Sequence, residues 1–192
     1  MAKRRVLVAM SGGVDSSVAA WLLQQQGYDC VGATMRLFDG KDSGPGNQQD
    51  IDDAAAIAQR LGIPHHVLDC RAAFDQDVVE AFVRAYERGV TPNPCTICNR
   101  RIKFGLLLER AHELGCDTVA TGHYARIRCR TQTHAAGGAQ PTSPVAAPAA
   151  NRSAHTSPVF ELACARDLTK DQSYFLYSLT QDVLAHVSFS AR

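Results

Sequence analysis

The stretch Val6–Ser17, VLVAMSGGVDSS, decides the fold. A short apolar, β-branched run meets Ser-Gly-Gly, and a helical pattern opens behind it and continues to Gln26. Glycines at a strand-to-helix turn let the backbone approach an anion. The free N–H groups and the positive helix end then hold it. Serines at 11, 16 and 17 add hydroxyl donors. Neither GxxxxGK[ST] nor GxGxxG is present, so the motif brings no lysine to a terminal phosphate and does not indicate a dinucleotide. Asp15 is informative, because a carboxylate beside phosphates repels them unless a cation lies between, and Mg²⁺ suits that place. The plain structural alternative is a Gly-Gly turn capped by Ser and Asp.

The same alternation repeats outward. RRVLVAM, CVGATMRL, HHVLDC and DTVATG have strand character. Between them, Val14–Gln26, Asp50–Leu61, Phe74–Arg88 and Asn99–Leu114 carry apolar residues at helical spacing. Each helical run stops at a glycine, Gly27, Gly62, Gly89 or Gly115, where the left-handed C′ conformation is cheap. Strands alternating with helices imply right-handed crossovers and a doubly wound parallel α/β sheet. Ligands then bind beyond the C-terminal strand ends, where the motifs fall.

With 192 residues the chain is long enough for one domain with a real core. A net charge of +1 gives no global pull toward nucleic acid or membrane, so such a partner needs a local patch. The apolar run near the N-terminus is too short for a signal peptide, and no stretch approaches a membrane span. We expect a cytoplasmic protein with no membrane partner. Seven irregularly spaced cysteines do not form a secreted disulfide framework, and most, Cys30 and Cys70 among them, are expected in the core. Residues 131–158 are built mostly of Ala, Pro, Ser, Thr and Gly. Such composition cannot offset its ordering entropy, so the expectation is a disordered insertion between a nucleotide-binding part, 1–130, and its continuation, 159–192. A strand is expected at VFELACA, with Cys164 in the core, and a helix at SYFLYSL.

SGGVDSS after a strand resembles the PP-loop of N-type ATP pyrophosphatases, an adenine nucleotide alpha-hydrolase-like fold whose members cleave ATP between the α- and β-phosphates. TPNPCTICNRRIKF, ATGHYARI and DLTKDQSYFL, in that order, resemble the bacterial tRNA-specific 2-thiouridylase family. The resemblance covers nearly the whole chain outside the low-complexity segment. It implies that ATP adenylates the 2-carbonyl oxygen of a tRNA wobble uridine, and that a persulfide from a donor protein supplies sulfur and displaces AMP. It also implies a disulfide bond.

The resemblance places the ATP loop on Ala9, Met10, Ser11, Gly12, Gly13, Val14, Asp15 and Ser16, with Asp15 as the catalytic acid. Met35 matches an adenine-contacting position, and Gly122 matches the other nucleotide-binding one. His123, Lys170, Asp171 and Gln172 match tRNA-contacting positions, and Asn93, Pro94 and Cys95 the segment meeting the target base. Asp171 also suits a helix cap. Cys98 matches the nucleophilic cysteine. At the expected N-terminus of the Asn99–Leu114 helix, with Arg100, Arg101 and Lys103 nearby, a thiolate would be favoured.

Cys95 stays open. Structural zinc needs four ligands, and no second CxxC or suitably spaced histidine pair is present; His65 and His66 are adjacent in a strand. A [4Fe–4S] cluster with Cys95, Cys98 and a third cysteine is one alternative, and a base-shaping role is another. Arg100, Arg101, Lys103, Arg126 and Arg128 are expected to form a phosphate-binding patch. The family's catalytic domain continues to a second, persulfide-bearing cysteine and two further domains that this sequence does not contain. The expectation is a truncated chain that binds ATP without completing thiolation alone. The competing functions are another adenylating ligase or amidotransferase of the same superfamily, which would need no reactive Cys98, and a nucleotide-binding module without catalysis.

Overall fold

The computed structural model describes residues 3–38, 46–134 and 155–191. Its centre is a parallel sheet. Strand β1 (Arg5–Ala9) pairs in parallel with β2 (Asp29–Arg36) on one side and with the start of β4 (Thr118–His134) on the other. β3 (His65–Asp69) pairs in parallel with β2, and β6 (Val187–Ala191) in parallel with β4. The parallel order is therefore β3-β2-β1-β4-β6, and it reverses between β1 and β4. That reversal leaves a crevice beyond the strand ends, where ligands settle in open α/β sheets.

Helix α1 (Val14–Gln25) and α2 (Gln48–Leu61) cover one face of the sheet. Their Ala20, Leu23, Ala54 and Ala58 pack with Val6, Val8 and Met10. Leu7, between Val6 and Val8, packs on the other face with Leu107 and Ala111. Alternate β1 residues thus serve both layers, which is why the run is apolar throughout. The four helix-stop glycines all have positive φ, between 67° and 87°.

The third expected helix begins earlier than Phe74. It comprises α3 (Arg71–Phe74), a π-helical stretch Asp75–Val79 and α4 (Glu80–Glu87). The fourth also begins earlier, with α5 (Pro94–Cys98), a π-helical stretch Asn99–Leu106 and α6 (Leu107–Glu113). Pro94 takes the first helical position, where its missing N–H costs nothing, and Asn93 caps it by accepting the Thr96 N–H.

The expected SYFLYSL helix is instead a single 3₁₀ turn, Ser173–Phe175, preceded by another at Leu168–Lys170, and α7 (Gln181–Ala185) follows under a Thr180 cap. Reciprocal hydrogen bonds between Gln172 and Tyr124 hold the start of this segment to β4, while Leu176 is completely buried. Anchoring at both points keeps it from winding as a regular helix.

β4 outruns the parallel sheet and pairs antiparallel with β5 (His155–Cys164), from Ala125↔Cys164 to His134↔His155. The flanks of the expected insertion, 131–134 and 155–158, are therefore paired strand, because cross-strand hydrogen bonds satisfy their backbones. Residues 135–154 lie outside the described residues.

Candidate active site

The loop after β1 is stitched by its own hydroxyls. Ser16 Oγ accepts the Ser11 N–H at 3.1 Å and donates to the Gly13 carbonyl at 3.0 Å; Ser17 Oγ donates to the same carbonyl at 2.8 Å. Gly13 is the N-cap residue of α1, and no side chain caps that end. The capped-turn alternative therefore does not hold, and the helix N–H groups stay available to an anion. Gly12 has φ +76°, and a Cβ there would meet the Asp50 carbonyl oxygen at 2.7 Å. Only glycine fits both that conformation and that approach to α2.

Gly122 closes the opposite wall. A Cβ on it would stand 2.9 Å from the Asp15 carbonyl carbon and from the Ser16 nitrogen. The β4 backbone thus lies directly against the first turn of α1. Between the two walls is a crevice of about 210 Å³. It brings Ala9, Met10, Ser11, Asp15, Ser16 and Met35 together with Gly122, His123 and Gln172. Nine residues matched from four separate sequence segments therefore line one cavity.

Val14, Lys170 and Asp171 lie outside its lining. Val14 is exposed and faces a neighbouring groove with Tyr124 and Lys170. Lys170 Nζ lies 5.2 Å from the centre of the Tyr124 ring. Asp171 is turned inward, accepting the Ala165 N–H and the Ser173 hydroxyl, each at 2.6 Å. Those hydrogen bonds hold its carboxyl below the usual range. It secures the end of β5 and does not cap a longer helix.

Three contributors were not singled out for this cavity from the sequence. Lys103, from the π-helical stretch, enters the crevice wall. It is the cation that the loop motif itself lacks, and the widened helical turn that carries it is a feature common at functional sites. Tyr124 donates its hydroxyl to Asp15 at 2.8 Å, which fixes the carboxylate at the rim; this bond pushes the Tyr124 pKa up. Thr121 shares a 2.8 Å hydrogen bond with His123 Nδ1. The His123 ring packs near Phe104 and Phe189, and its burial, with Lys103 nearby, holds its pKa at about 3. His123 is therefore neutral at physiological pH. The Tyr-after-His and Lys-before-Phe positions offered no periodic signal; only the fold brings them to Asp15.

The CxxC segment departs most from expectation. Because the helix starts at Pro94, Cys95 occupies its exposed first turn and Cys98 is a turn further in. Cys98 is 9% exposed and packs with Leu37, Cys70, Phe74, Val78 and Ile102. Burial pushes its pKa up; Lys103 opposes the shift and Cys95 adds to it. The expected thiolate at a helix N-terminus is thus replaced by a covered thiol. Asn99, next in the chain, is buried and donates to the Phe175 carbonyl at 3.3 Å, tying this helix to the turn after Gln172.

All seven cysteines are free, which overturns the expected disulfide. Cys164 is exposed, not core, since it faces outward where β5 ends. Among the described residues, no group of three or more His, Cys, Asp or Glu side chains is arranged to hold a metal ion. The exposed Cys95 and buried Cys98 do not fit a [4Fe–4S] donor set. A single carboxylate at a phosphate site does fit Mg²⁺, which keeps most of its waters. No helix among the described residues is long and apolar enough to cross a membrane. The expected basic patch is split: Lys103 enters the crevice, whereas Arg126 and Arg128 sit on β4.

A sheet reversal with an anion-ready loop and a backbone-tight glycine defines an open α/β domain with its crevice beyond the strand ends. The model of the tRNA methyl transferase HUP domain matches residues 4–191, and the chain belongs to that family. It is similar to the tRNA-specific 2-thiouridylase MnmA of Trichlorobacter lovleyi, 46% identical over 185 residues, covering 96% of this chain and 45% of the relative. The MnmA of Rippkaea orientalis is 45% identical over 186 residues, covering 96% and 46%. The chain thus spans under half the length of these relatives. Among solved structures it is similar to the U34-tRNA thiolase NcsA from Methanococcus maripaludis with its [4Fe–4S] cluster, at a TM-score of 0.44 and 24% identity, covering 62% of this chain and 38% of that one.

Proposed function

We propose that this chain is the ATP-binding, thiol-bearing part of a cytoplasmic tRNA 2-thiouridylase. The observation that carries the reading is the single crevice at the β1/β4 reversal, where Asp15, Ser16, Met35 and Gly122 converge with Lys103. The α1 N–H groups and the Ser11 hydroxyl hold the phosphates, and Met35 contacts the adenine. Asp15, oriented by Tyr124, holds Mg²⁺ when the ion is bound; there the ion neutralises phosphate oxygens. Lys103 adds a positive charge to the crevice wall. The 2-carbonyl oxygen of the wobble uridine attacks the α-phosphorus, and pyrophosphate leaves with its electron pair. The outer sulfur of a protein persulfide then attacks C2, and AMP departs. The Cys98 thiolate attacks the persulfide's inner sulfur, which breaks the S–S bond, frees the 2-thiouridine and leaves Cys98 in a disulfide with the donor cysteine.

Cys98 is the thiol of this sulfur transfer, and Asn93, Pro94 and Cys95 form the adjoining base-facing edge. In the described state Cys98 is protonated and covered, so RNA engagement must uncover it. No step is routed through an iron–sulfur cluster. The test is Asp15→Ala. We expect Mg²⁺-dependent pyrophosphate release in the presence of unmodified tRNA to fall by about 100-fold or more, with the thermal unfolding midpoint nearly unchanged. Undiminished release by the folded variant would overturn the reading.

A further inference from the structure

Two clefts meet at Ser188 of β6. One, of about 590 Å³, lies beside α1 and includes Asp15, Tyr124 and Lys170 in its wall. The other, of about 330 Å³, lies between the β4–β5 arm and β6 and gathers Arg126, Arg128 and Arg166. Ser188 borders both, and no Asp or Glu lines the second.

The alignment follows from strand geometry. Beyond the register shift between Thr121 and Tyr124, β4 pairs regularly with β5. Tyr124, Arg126 and Arg128 therefore share one face, recurring about every 6.7 Å. Arg130, next along that face, is paired with Glu161 at 3.0 Å. Among the described residues, no ion pair engages Arg126, Arg128 or Arg166. Arg126 donates Nε to the Cys164 carbonyl at 2.8 Å, which fixes its guanidinium without neutralising the charge. Arg166 follows Ala165, whose N–H is held by Asp171.

Arginines on an exposed strand can simply deter edge-to-edge pairing. That role explains Arg128 and Arg130 but not Arg166, which lies beyond β5 and still joins the same cleft. Glu161, opposite Arg128 in the strand register, is taken up by Arg130, so the three arginines keep an excess of positive charge that an anion in the cleft would offset.

We propose that the joined clefts form a track for the RNA backbone, leading from Lys170 beside Asp15 along Arg126, Arg128 and Arg166. This rests on the tRNA-directed reading of the site and extends it to a surface. Guanidinium groups pair with phosphates in a fork geometry, and a row of them fixes the register of a strand without reading its bases. The track would hold the tRNA strand flanking the target base while that base enters the crevice.

The test is a triple variant, Arg126→Gln, Arg128→Gln and Arg166→Gln, with tRNA binding measured between about 50 and 200 mM salt. We expect the slope of log affinity against log salt to shrink by about two to three, and affinity at the lower salt to fall by about 10–100-fold. ATP binding should be unchanged, which also reports that the variant is folded. Arg84→Gln with Arg88→Gln, at the end of α4 and in the wall of neither cleft, serves as the control and should keep most of the slope. Failure of the wild-type chain to bind tRNA at all would overturn the tRNA-directed reading and the track together. Wild-type binding with an unchanged slope in the triple variant, or an equal loss in the control, would overturn the track alone.

Discussion

The nucleotide crevice and the CxxC helix are neighbours joined by Lys103, yet they are built in opposite ways. The crevice is made of backbone. Its walls are the Ser11–Ser16 loop and Gly122, in contact at distances that leave no room for a Cβ. Its polar groups are exposed or engaged with one another, ready for a charged ligand. The CxxC helix offers a side chain, and that side chain is buried: Cys98 sits in an apolar cluster with its pKa pushed up. One region is organised before its ligand arrives, and the other must change for its thiol to act. Under the proposed function, a nucleotide would bind first and sulfur chemistry would wait on the RNA.

The largest effect expected from breaking this contrast is at Gly122. Gly122→Ala would put a methyl group against the Asp15 and Ser16 backbone, which cannot move without disturbing α1. Overpacking of this kind costs about 1–3 kcal/mol of stability. Because the strain falls on the loop itself, we expect ATP affinity to drop by about 100-fold. The check is isothermal titration with ATP beside a thermal melt. Gly122→Ala with wild-type ATP affinity would show that the loop is not organised by this contact.

The loop side of that wall was legible in the sequence, and so was the fold, whereas Gly122 came only from the family resemblance. Strand, glycines, acid and helix coincide in VLVAMSGGVDSS, and glycine stops mark the ends of the four helical runs. These are local rules in which a residue's own backbone decides. The thiol environment was not legible, because it depends on where a helix begins. The helical spacing places that start at Asn99, whereas Asn93 and Pro94 are the helix start itself. Shifting that start by five residues turns Cys98 from an end residue into a core residue. Lys103 and Tyr124 were equally hidden, since their meeting with the Asp15 region comes from strand order and not from spacing along the chain.

A medium effect is expected at the junction. Lys103→Met keeps the length and apolar stem of the side chain but removes its charge from the crevice wall. A charge-assisted contact to phosphate is worth about 1.5–3 kcal/mol, so ATP affinity should fall by about 10–100-fold. Adenosine, which has no phosphate, should bind the variant and the wild type alike. Equal losses for both ligands would show that Lys103 shapes the pocket and does not recognise phosphate.

The smallest effect concerns the thiols themselves, and it tests whether Cys98 is held in reserve. Cys95 is exposed, Cys98 is covered, and burial with the nearby Asp69 raises Cys70 to about 11. Alkylating reagents attack thiolate, so both access and deprotonation govern labelling. A raised pKa means that the thiolate of Cys98 becomes abundant only above the usual thiol range, so its labelling should keep climbing where that of an ordinary thiol has levelled off. Cys70 should lag further, to near pH 11. At neutral pH, iodoacetamide should mark Cys95 about 10-fold faster than Cys98, as read by peptide mass spectrometry over time. Adding unmodified tRNA with ATP should narrow this ratio if RNA uncovers the buried sulfur, whereas ATP alone should leave it unchanged. Equal labelling of the two cysteines in the free protein at neutral pH would erase the contrast, since Cys98 would then be open and reactive before any RNA arrives.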